Sequence, residues 1–363
     1  MIVERTEYYA KPGLAGKVLE IRRRACAVRR GIGLQHGRIF VRRSDSDAEG
    51  PDVTWEGEFA SAAEHAADLA ARATSPDFEA VRKEMTQCLA RFKRHFVERD
   101  DVPLDNGMRS IDLSGEPIVP QELIVTSSGR ELKGYLYIPP GAGPFPCLLL
   151  NHGSTIDKGT LDVARPGTSG LLMSWGVASF LLHRHGYGNS PGPGWREDVT
   201  TEFGTPEYDA QIAARLDRES DDVLAALDVV SKLPEIRSNH IGVMGSSFGG
   251  TNTLLAASKS AALRCAIDFA GAAMNWEKTP GLRELMKSAA RNLSQPIFLI
   301  QAENDYSIAP TQELSALLKE TGQVMESKIY PAFGVNSHEG HLLESRGPDV
   351  WAGDVRRFLE RYL

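Results

Sequence analysis

The stretch Ile241-Gly242-Val243-Met244-Gly245-Ser246-Ser247-Phe248-Gly249-Gly250 decides the fold of this chain. Its first four residues are mostly apolar and predict a buried strand, and residues 251–258 predict a helix. Between the two lies a G-x-S-x-G pattern with Ser247 at its centre. A sharp turn from strand to helix needs glycines where neighbouring chains pack closely, and it lifts the serine hydroxyl clear of the sheet. The pattern therefore predicts Ser247 as a nucleophile at a helix N-terminus, where developing negative charge is favoured.

Similar apolar runs occur on both sides of this stretch and alternate with helical patterns. The runs cover residues 147–150, 178–182, 265–269 and 297–300. Strands buried on both faces look like this, because helices cover both sides of a parallel sheet. A predicted hairpin around Ser127-Ser128-Gly129-Arg130 precedes the runs. Residues 121–363 are therefore predicted to form an α/β domain with a doubly wound, mostly parallel sheet.

A serine hydroxyl is a weak nucleophile and needs a neighbouring base. In the strand–turn–helix arrangement, an acid and then a histidine follow the serine along the chain. The histidines after Ser247 are His338 and His341. The acid is expected in the loop after the next strand but one, which contains Asp305 and, as a competitor, Glu303.

Several further stretches strengthen this interpretation, and they are Asn151-His152-Gly153-Ser154, Arg184 to Gly192, Gln301 to Pro310 and Glu339-Gly340-His341. Together with the turn at Ser247, they resemble the dienelactone-hydrolase and prolyl-oligopeptidase branch of the α/β hydrolases over about residues 121–363. The resemblance implies that His341 is the base and that Asp305 orients it. Dienelactone hydrolases use a cysteine nucleophile, and relatives often have Gly-Phe after the base, where this chain has Leu342-Leu343. These departures argue against dienelactone itself as the substrate.

The mechanism that the resemblance implies is acyl transfer without a metal or organic cofactor. Ser247 would attack a carbonyl carbon, and the oxyanion would be met by the backbone N–H of Phe248 and that of Ser154, with Thr155 as the next candidate. His152 would brace the oxyanion loop. The loop-rich stretch 192–206 could form part of a lid.

The function predicted from these features is a carboxylesterase that acts on small or medium esters. Lactones, amides or peptides, and carbon–carbon bonds remain alternatives, because the same three residues serve all these reactions. A further alternative is a non-catalytic binding protein on a hydrolase scaffold.

Residues 1–98 predict a separate α+β domain before a Pro- and Gly-containing linker at 99–120. The predicted order is strand, helix, strand, strand, helix, strand with one extra helix, in which residues 78–92 form a helix and a short last strand lies near residues 95–97. This ferredoxin-like order resembles the dimeric α+β barrel domains. The resemblance implies a homodimer formed through this domain. The arginines at 22–24, 29 and 30 are expected to form a solvated basic face on a helix.

Composition limits the remaining possibilities. A chain of 363 residues suggests two domains, and a formal net charge of −7 argues against a nucleic-acid partner. No apolar run approaches the ~20 residues needed to span a bilayer, so a membrane role is not predicted and a cytoplasmic location is expected. The four cysteines are widely spaced and form neither a disulfide framework nor a zinc motif.

Overall fold

A computed structural model describes residues 2–43, 50–59, 62–98, 106–156 and 165–363. The chain divides into two units, Met1–Asp101 and Val102–Leu363. Part of the predicted linker, residues 99–105, lies outside the described residues.

The first unit is a four-stranded antiparallel sheet with helices on one face. Its strands lie in the order β2-β3-β1-β4, which is the order of a ferredoxin-like fold. Even-numbered residues of the first strand, such as Thr6 and Tyr8, face the helices, whereas Arg5 and Glu7 lie on the open face. The elements are β1 Ile2–Ala10, α1 Ala15–Gly31, β2 Arg38–Val41, β3 Val53–Phe59, α2 Ala62–Ala73, α3 Pro76–Cys88 and β4 Leu89–Glu98.

Two sequence expectations for this unit were wrong. The predicted helix 78–92 ends at Cys88, and the chain passes directly into β4, where Phe92 pairs with Tyr8 of β1. The apolar stripe did not mark this boundary, because residues facing the core continue from the helix into the strand. The basic face is only partly solvated, since Arg22 and Arg29 are buried on the inner side of α1.

The second unit is built on an eight-stranded sheet in the order β12-β11-β10-β9-β7-β8-β6-β5. The strands from β12 to β8 pair in parallel, while β6 pairs antiparallel with both β5 and β8. The predicted α/β-hydrolase sheet and its initial hairpin are therefore confirmed. The elements are β5 Gln121–Ser127, β6 Arg130–Tyr137, β7 Phe145–Asn151, α4 Pro166–Ser174, β8 Ala178–Leu182, α5 Trp195–Asp198, α6 Pro206–Val230, β9 Ile236–Ser246, α7 Phe248–Lys259, β10 Ala266–Phe269, α8 Pro280–Arg291, β11 Ile297–Ala302, α9 Ala309–Thr321, β12 Met325–Tyr330, α10 Ser337–His341, α11 Leu343–Arg346 and α12 Pro348–Tyr362.

Apolar side chains cover both faces of this sheet. Successive residues of a strand point to opposite faces, so Leu149 packs with the helices α6 to α9, and its neighbour Leu148 packs with α4 and α12. Cys147 and Cys265 are fully buried in these two layers. In the described part of the chain, no helix is long and apolar enough to cross a membrane.

Residues 106–118, from the predicted linker, pack against the second unit. Asn106 donates its side-chain amide to the carbonyl of Leu359 at 3.2 Å. The backbone N–H of Ile111 donates to Ser174 at 2.8 Å, and Ile118 lies against a small apolar cluster. These contacts make the stretch part of the second unit.

Candidate active site

Ser247 occupies a strained turn between β9 and α7. Its backbone has φ of 60° and ψ of −122°, a region that residues with a Cβ rarely adopt. The turn is crowded, because a Cβ added at Gly245 would lie 2.3 Å from the carbonyl oxygen of Gly249. A Cβ at Gly249 would lie 2.1 Å from the carbonyl oxygen of Asn151. The glycines of the sequence pattern are thus required by close backbone approach, as predicted.

The structure brings Ser247, His341 and Asp305 together in one hydrogen-bonded chain. His341 Nε2 lies 2.9 Å from Ser247 Oγ, and His341 Nδ1 lies 2.8 Å from Asp305 Oδ1. Asp305 follows β11, and His341 ends the short helix α10, so both approach the carboxyl edge of the sheet. A carboxylate only accepts, so Nδ1 carries the proton and Nε2 is free to accept from the serine hydroxyl.

The competing residues lie elsewhere. Glu303 is exposed on the loop after β11 and contacts neither candidate base among the described residues. His338 Nδ1 lies 3.3 Å from the hydroxyl of Tyr306, at the exposed side of the site. The geometry therefore favours Asp305 and His341 over these two alternatives.

Asp305 has further donors that the sequence analysis missed. Gln301, near the end of β11, donates its side-chain amide to Asp305 Oδ2 at 2.8 Å and to the carbonyl of Ser307 at 2.9 Å. The backbone N–H of Tyr306 donates to Asp305 Oδ1 at 2.7 Å. Gln301 is the one polar residue near the end of an otherwise apolar strand, and this feature of the sequence could have identified it. These contacts fix the carboxylate plane against the imidazole.

The loop after β7 lies against the nucleophile. A Cβ at Gly153 would lie 3.3 Å from Ser247 Cβ and 3.9 Å from Ser247 Oγ. His152 Nδ1 lies 2.7 Å from the carbonyl oxygen of Gly153, and the N–H of Arg184 donates to His152 Nε2 at 3.3 Å. Burial holds the pKa of His152 well below its ordinary value, and Arg184 adds to this effect, so the ring is neutral and donates from Nδ1.

This arrangement orients the predicted oxyanion donors. In a trans peptide the N–H points opposite to the C=O, so holding the Gly153 carbonyl also fixes the direction of the Ser154 N–H. Phe248 is the first residue of α7, and the first N–H groups of a helix lack partners inside it. Neither N–H has an acceptor among the described residues. Both are available to a ligand beside Ser247.

A buried network of charged side chains connects the loop after β7 with α6 and α7. Glu219 accepts from Arg184 Nε at 2.8 Å, from Arg215 Nε at 2.6 Å and from the Asn252 amide at 3.0 Å. Burial disfavours the Glu219 charge, but the two guanidinium groups hold the pKa of this carboxyl below its ordinary value. Because Arg184 also donates to the carbonyl of His152 at 2.8 Å, the network connects α6, α7 and the oxyanion loop.

Asp268 is a second buried carboxyl close to the turn. It lies on β10, opposite Gly245, and accepts from the N–H of Gly271 at 2.9 Å. Burial raises its pKa to about 7, although the bond from Gly271 opposes the shift. A Cβ at Gly250 would lie 2.1 Å from its carboxylate oxygen, which explains the glycine that follows the serine motif.

The 192–206 stretch contacts the residue that follows the serine. Trp195, in the short helix α5, packs edge-on against Phe248 with 5.4 Å between the ring centroids. The proposed lid role of this stretch remains a prediction. No group of histidine, cysteine or acidic residues in the described part of the chain could hold a metal ion.

Comparison with known proteins gives one family match. Residues 196–362 match the model of the Dienelactone hydrolase family. No curated protein sequence matches the chain.

Solved structures with the same fold include an acylaminoacyl peptidase in complex with Z-Gly-Gly-Phe-chloromethyl ketone. Its TM-score is 0.52 at 19% identity, over 67% of this chain and 41% of that one. Dipeptidyl peptidase 4 of Porphyromonas gingivalis has a TM-score of 0.50 at 18% identity, over 67% of this chain and 35% of its own. This chain thus spans about two fifths of the length of the first solved structures that it matches. The second unit of this chain thus has the α/β-hydrolase fold of these proteins, and residues 196–362 within it match the Dienelactone hydrolase family.

Proposed function

We propose that the second unit is a serine hydrolase that cleaves carboxylic esters through an acyl-enzyme on Ser247. The observation that carries this proposal is the unbroken hydrogen-bond chain from Ser247 Oγ through His341 to Asp305. A strained turn that presents the serine, beside two N–H groups that have no acceptor in the described part of the chain, supports it further.

The steps follow from the geometry. Ser247 Oγ attacks the carbonyl carbon while His341 Nε2 takes its proton, and Asp305 stabilises the resulting imidazolium. The oxyanion accepts from the N–H groups of Phe248 and Ser154, and losing one such donor would cost about 10²–10³ in kcat. His341 then protonates the leaving alkoxide, which departs as an alcohol. Water, activated by His341, attacks the acyl-enzyme and releases a carboxylic acid.

Esters are the class that this site should cleave first. An alkoxide leaves more readily than an amine, so a site able to cleave amides also cleaves activated esters. Ester cleavage therefore requires less activation of the leaving group than amide cleavage does. Lactone and amide cleavage differ from it in the shape and leaving group of the substrate.

The direct test is labelling of the whole chain with a fluorophosphonate probe, followed by mapping of the modified peptide. We expect label on Ser247 that Ser247→Ala removes, whereas Ser246→Ala, on the neighbouring serine, retains it. With p-nitrophenyl butyrate, Ser247→Ala should lower kcat by about 10⁴–10⁶. Asp305→Asn should lower it by about 10⁴, because the amide favours the wrong imidazole tautomer.

A matched panel of a linear ester, a lactone and an anilide of the same acid then compares kcat/KM. A higher value for the lactone or the anilide would replace the ester assignment while keeping Ser247 as nucleophile. Folded protein without label on Ser247 would refute the enzyme and favour the binding-protein alternative.

A further inference from the structure

The first unit contains a cavity of about 530 Å³ between its sheet and helices α1 and α3. Aromatic and apolar side chains form much of its wall, among them Tyr8, Trp55, Phe78, Met85 and Phe92. Small-molecule sites have this size and combine apolar walls with polar groups that orient the ligand. The Ser247 mechanism uses none of these residues.

Arg22 of α1 lines this cavity and is 5% exposed. Its Nη1 donates to the hydroxyl of Tyr8 at 3.0 Å, and Nη2 contacts Cys26 Sγ, a weak acceptor, at 3.6 Å. The guanidinium lies 4.6 Å from the ring centroid of Trp55, and Nε has no acceptor among the described residues. A guanidinium offers five N–H donors and is always charged. Arg22 is thus a buried cation whose capacity to donate is largely unused.

Another buried arginine on the same helix shows what is missing. Arg29 is fully buried and pairs with Asp68 at 2.5 Å. For Arg22, no carboxylate partner exists in the described part of the chain. Leaving a charge buried and unpaired is strongly unfavourable, so an anion from outside the chain would supply the missing partner.

The acid in the cavity wall is already neutralised. Glu4 pairs with Arg72 at 3.2 Å and with Arg94 at 3.0 Å, and it also contacts His65 at 3.0 Å. Burial raises the pKa of this carboxyl, but the two arginines outweigh burial and keep it below its ordinary value. Glu4 is therefore charged and already paired with other arginines, so it does not neutralise Arg22. The interior of the cavity has excess positive charge as a result.

We propose that this cavity is a binding site for a small monocarboxylate with an aromatic or aliphatic body. A carboxylate matches the planar donor fork of a guanidinium and gives charge-assisted hydrogen bonds. The aromatic walls would cover the body of the molecule. Of the buried arginines in the lining, Arg22 is the one without a carboxylate partner among the described residues, which suits one negative charge. A phosphate dianion would bring a second, unpaired charge against apolar walls.

The test is isothermal titration calorimetry of the full chain with benzoate, phenylacetate and hexanoate, and with benzamide as the neutral counterpart of benzoate. At least one acid should bind, and benzamide should bind at least about tenfold more weakly than benzoate. Arg22→Met should weaken acid binding by at least about tenfold. Arg23→Met, an exposed neighbour on α1, is the matched control and should bind like the wild type. Ala90→Trp, at an exposed position in the cavity wall, should block binding while Arg22 is intact.

Hydrolysis of p-nitrophenyl butyrate should be unchanged in all three variants, so that failure here is distinct from failure at Ser247. The proposal is overturned if none of the acids binds, if benzamide binds as tightly as benzoate, or if Arg22→Met retains full affinity. If Arg22→Met does not fold, the comparison of benzamide with benzoate and the effect of Ala90→Trp on acid binding still test the proposal. Acid binding unaffected by Ala90→Trp would place the ligand outside this cavity.

Discussion

The strained turn at Ser247 predicts an unusual order of stability among its variants. Both Ser247→Ala and Ser247→Gly remove the hydroxyl and its hydrogen bond to His341, so they differ in backbone preference alone. A residue with a Cβ in such a conformation costs about 1–3 kcal/mol, while glycine loses about 0.5–1 kcal/mol of chain entropy relative to alanine. Ser247→Gly should therefore be more stable than Ser247→Ala by about 1 kcal/mol, or about 2–4 °C in Tm for a unit of this size.

Calorimetry or urea unfolding of the full-length variants measures this difference directly. The matched control is the same pair of substitutions at Ser246, which lies in β9 and is not among the residues with positive φ. There, glycine should be less stable than alanine by about 0.5–1 kcal/mol. The sign of the difference should thus reverse between neighbouring positions. If Ser247→Gly were the less stable variant, the turn at Ser247 would not be strained.

The remaining predictions concern the base, its support, a buried acid and assembly. His341→Gln should lower kcat/KM for p-nitrophenyl butyrate by about 10⁴-fold or more, whereas His338→Gln should stay within about threefold; equal losses would contradict the assignment of the base. Gln301→Leu should lower kcat about tenfold with KM unchanged, because the orienting carboxylate loses a charge-assisted donor, and unchanged kinetics would mean that the carboxylate holds its place without it. The pKa of Asp268 is about 7 in the folded state against an ordinary value of 3.8, so wild-type stability should fall as the pH rises from about 4 to 7. Asp268→Asn should remove part of that fall between about pH 4 and 7, and parallel urea midpoints for the two proteins would show that this carboxyl does not titrate there. The full chain should sediment as a dimer and a chain without residues 1–98 as a monomer; a dimer that survives the deletion would place the interface in the second unit.

The active-site turn could be predicted because its constraints are local. A buried strand, a tight turn and a helix require apolar residues, glycines and a serine at fixed spacing. Ser247 and its glycines could therefore be identified from the sequence. Asp305 and His341 needed the order of the fold as well, because loops bring them in from 58 and 94 positions further along the chain. Only the geometry distinguished them from Glu303 and His338, because these competitors lie just two and three positions away in the sequence.

The supporting contacts could not be predicted in the same way. Glu219 is a charged residue within an amphipathic helix pattern, and the pattern does not reveal that Arg184 and Arg215 meet it inside the core. The burial of Arg22 was missed for a related reason, because a run of arginines on a helix is usually solvated. Burial of a charge depends on what covers the helix, and that is a property of tertiary packing.

The hydrogen bonds around Asp305 limit how protons can move through the candidate site. Gln301, Tyr306 and His341 together donate three N–H groups to this carboxylate, and its side chain is fully enclosed. All three groups donate, so the carboxylate serves them as an acceptor. In the proposed reaction, His341 is then the last group to carry the transferred proton: it passes the serine proton to the leaving alkoxide and later passes a proton from water back to Ser247.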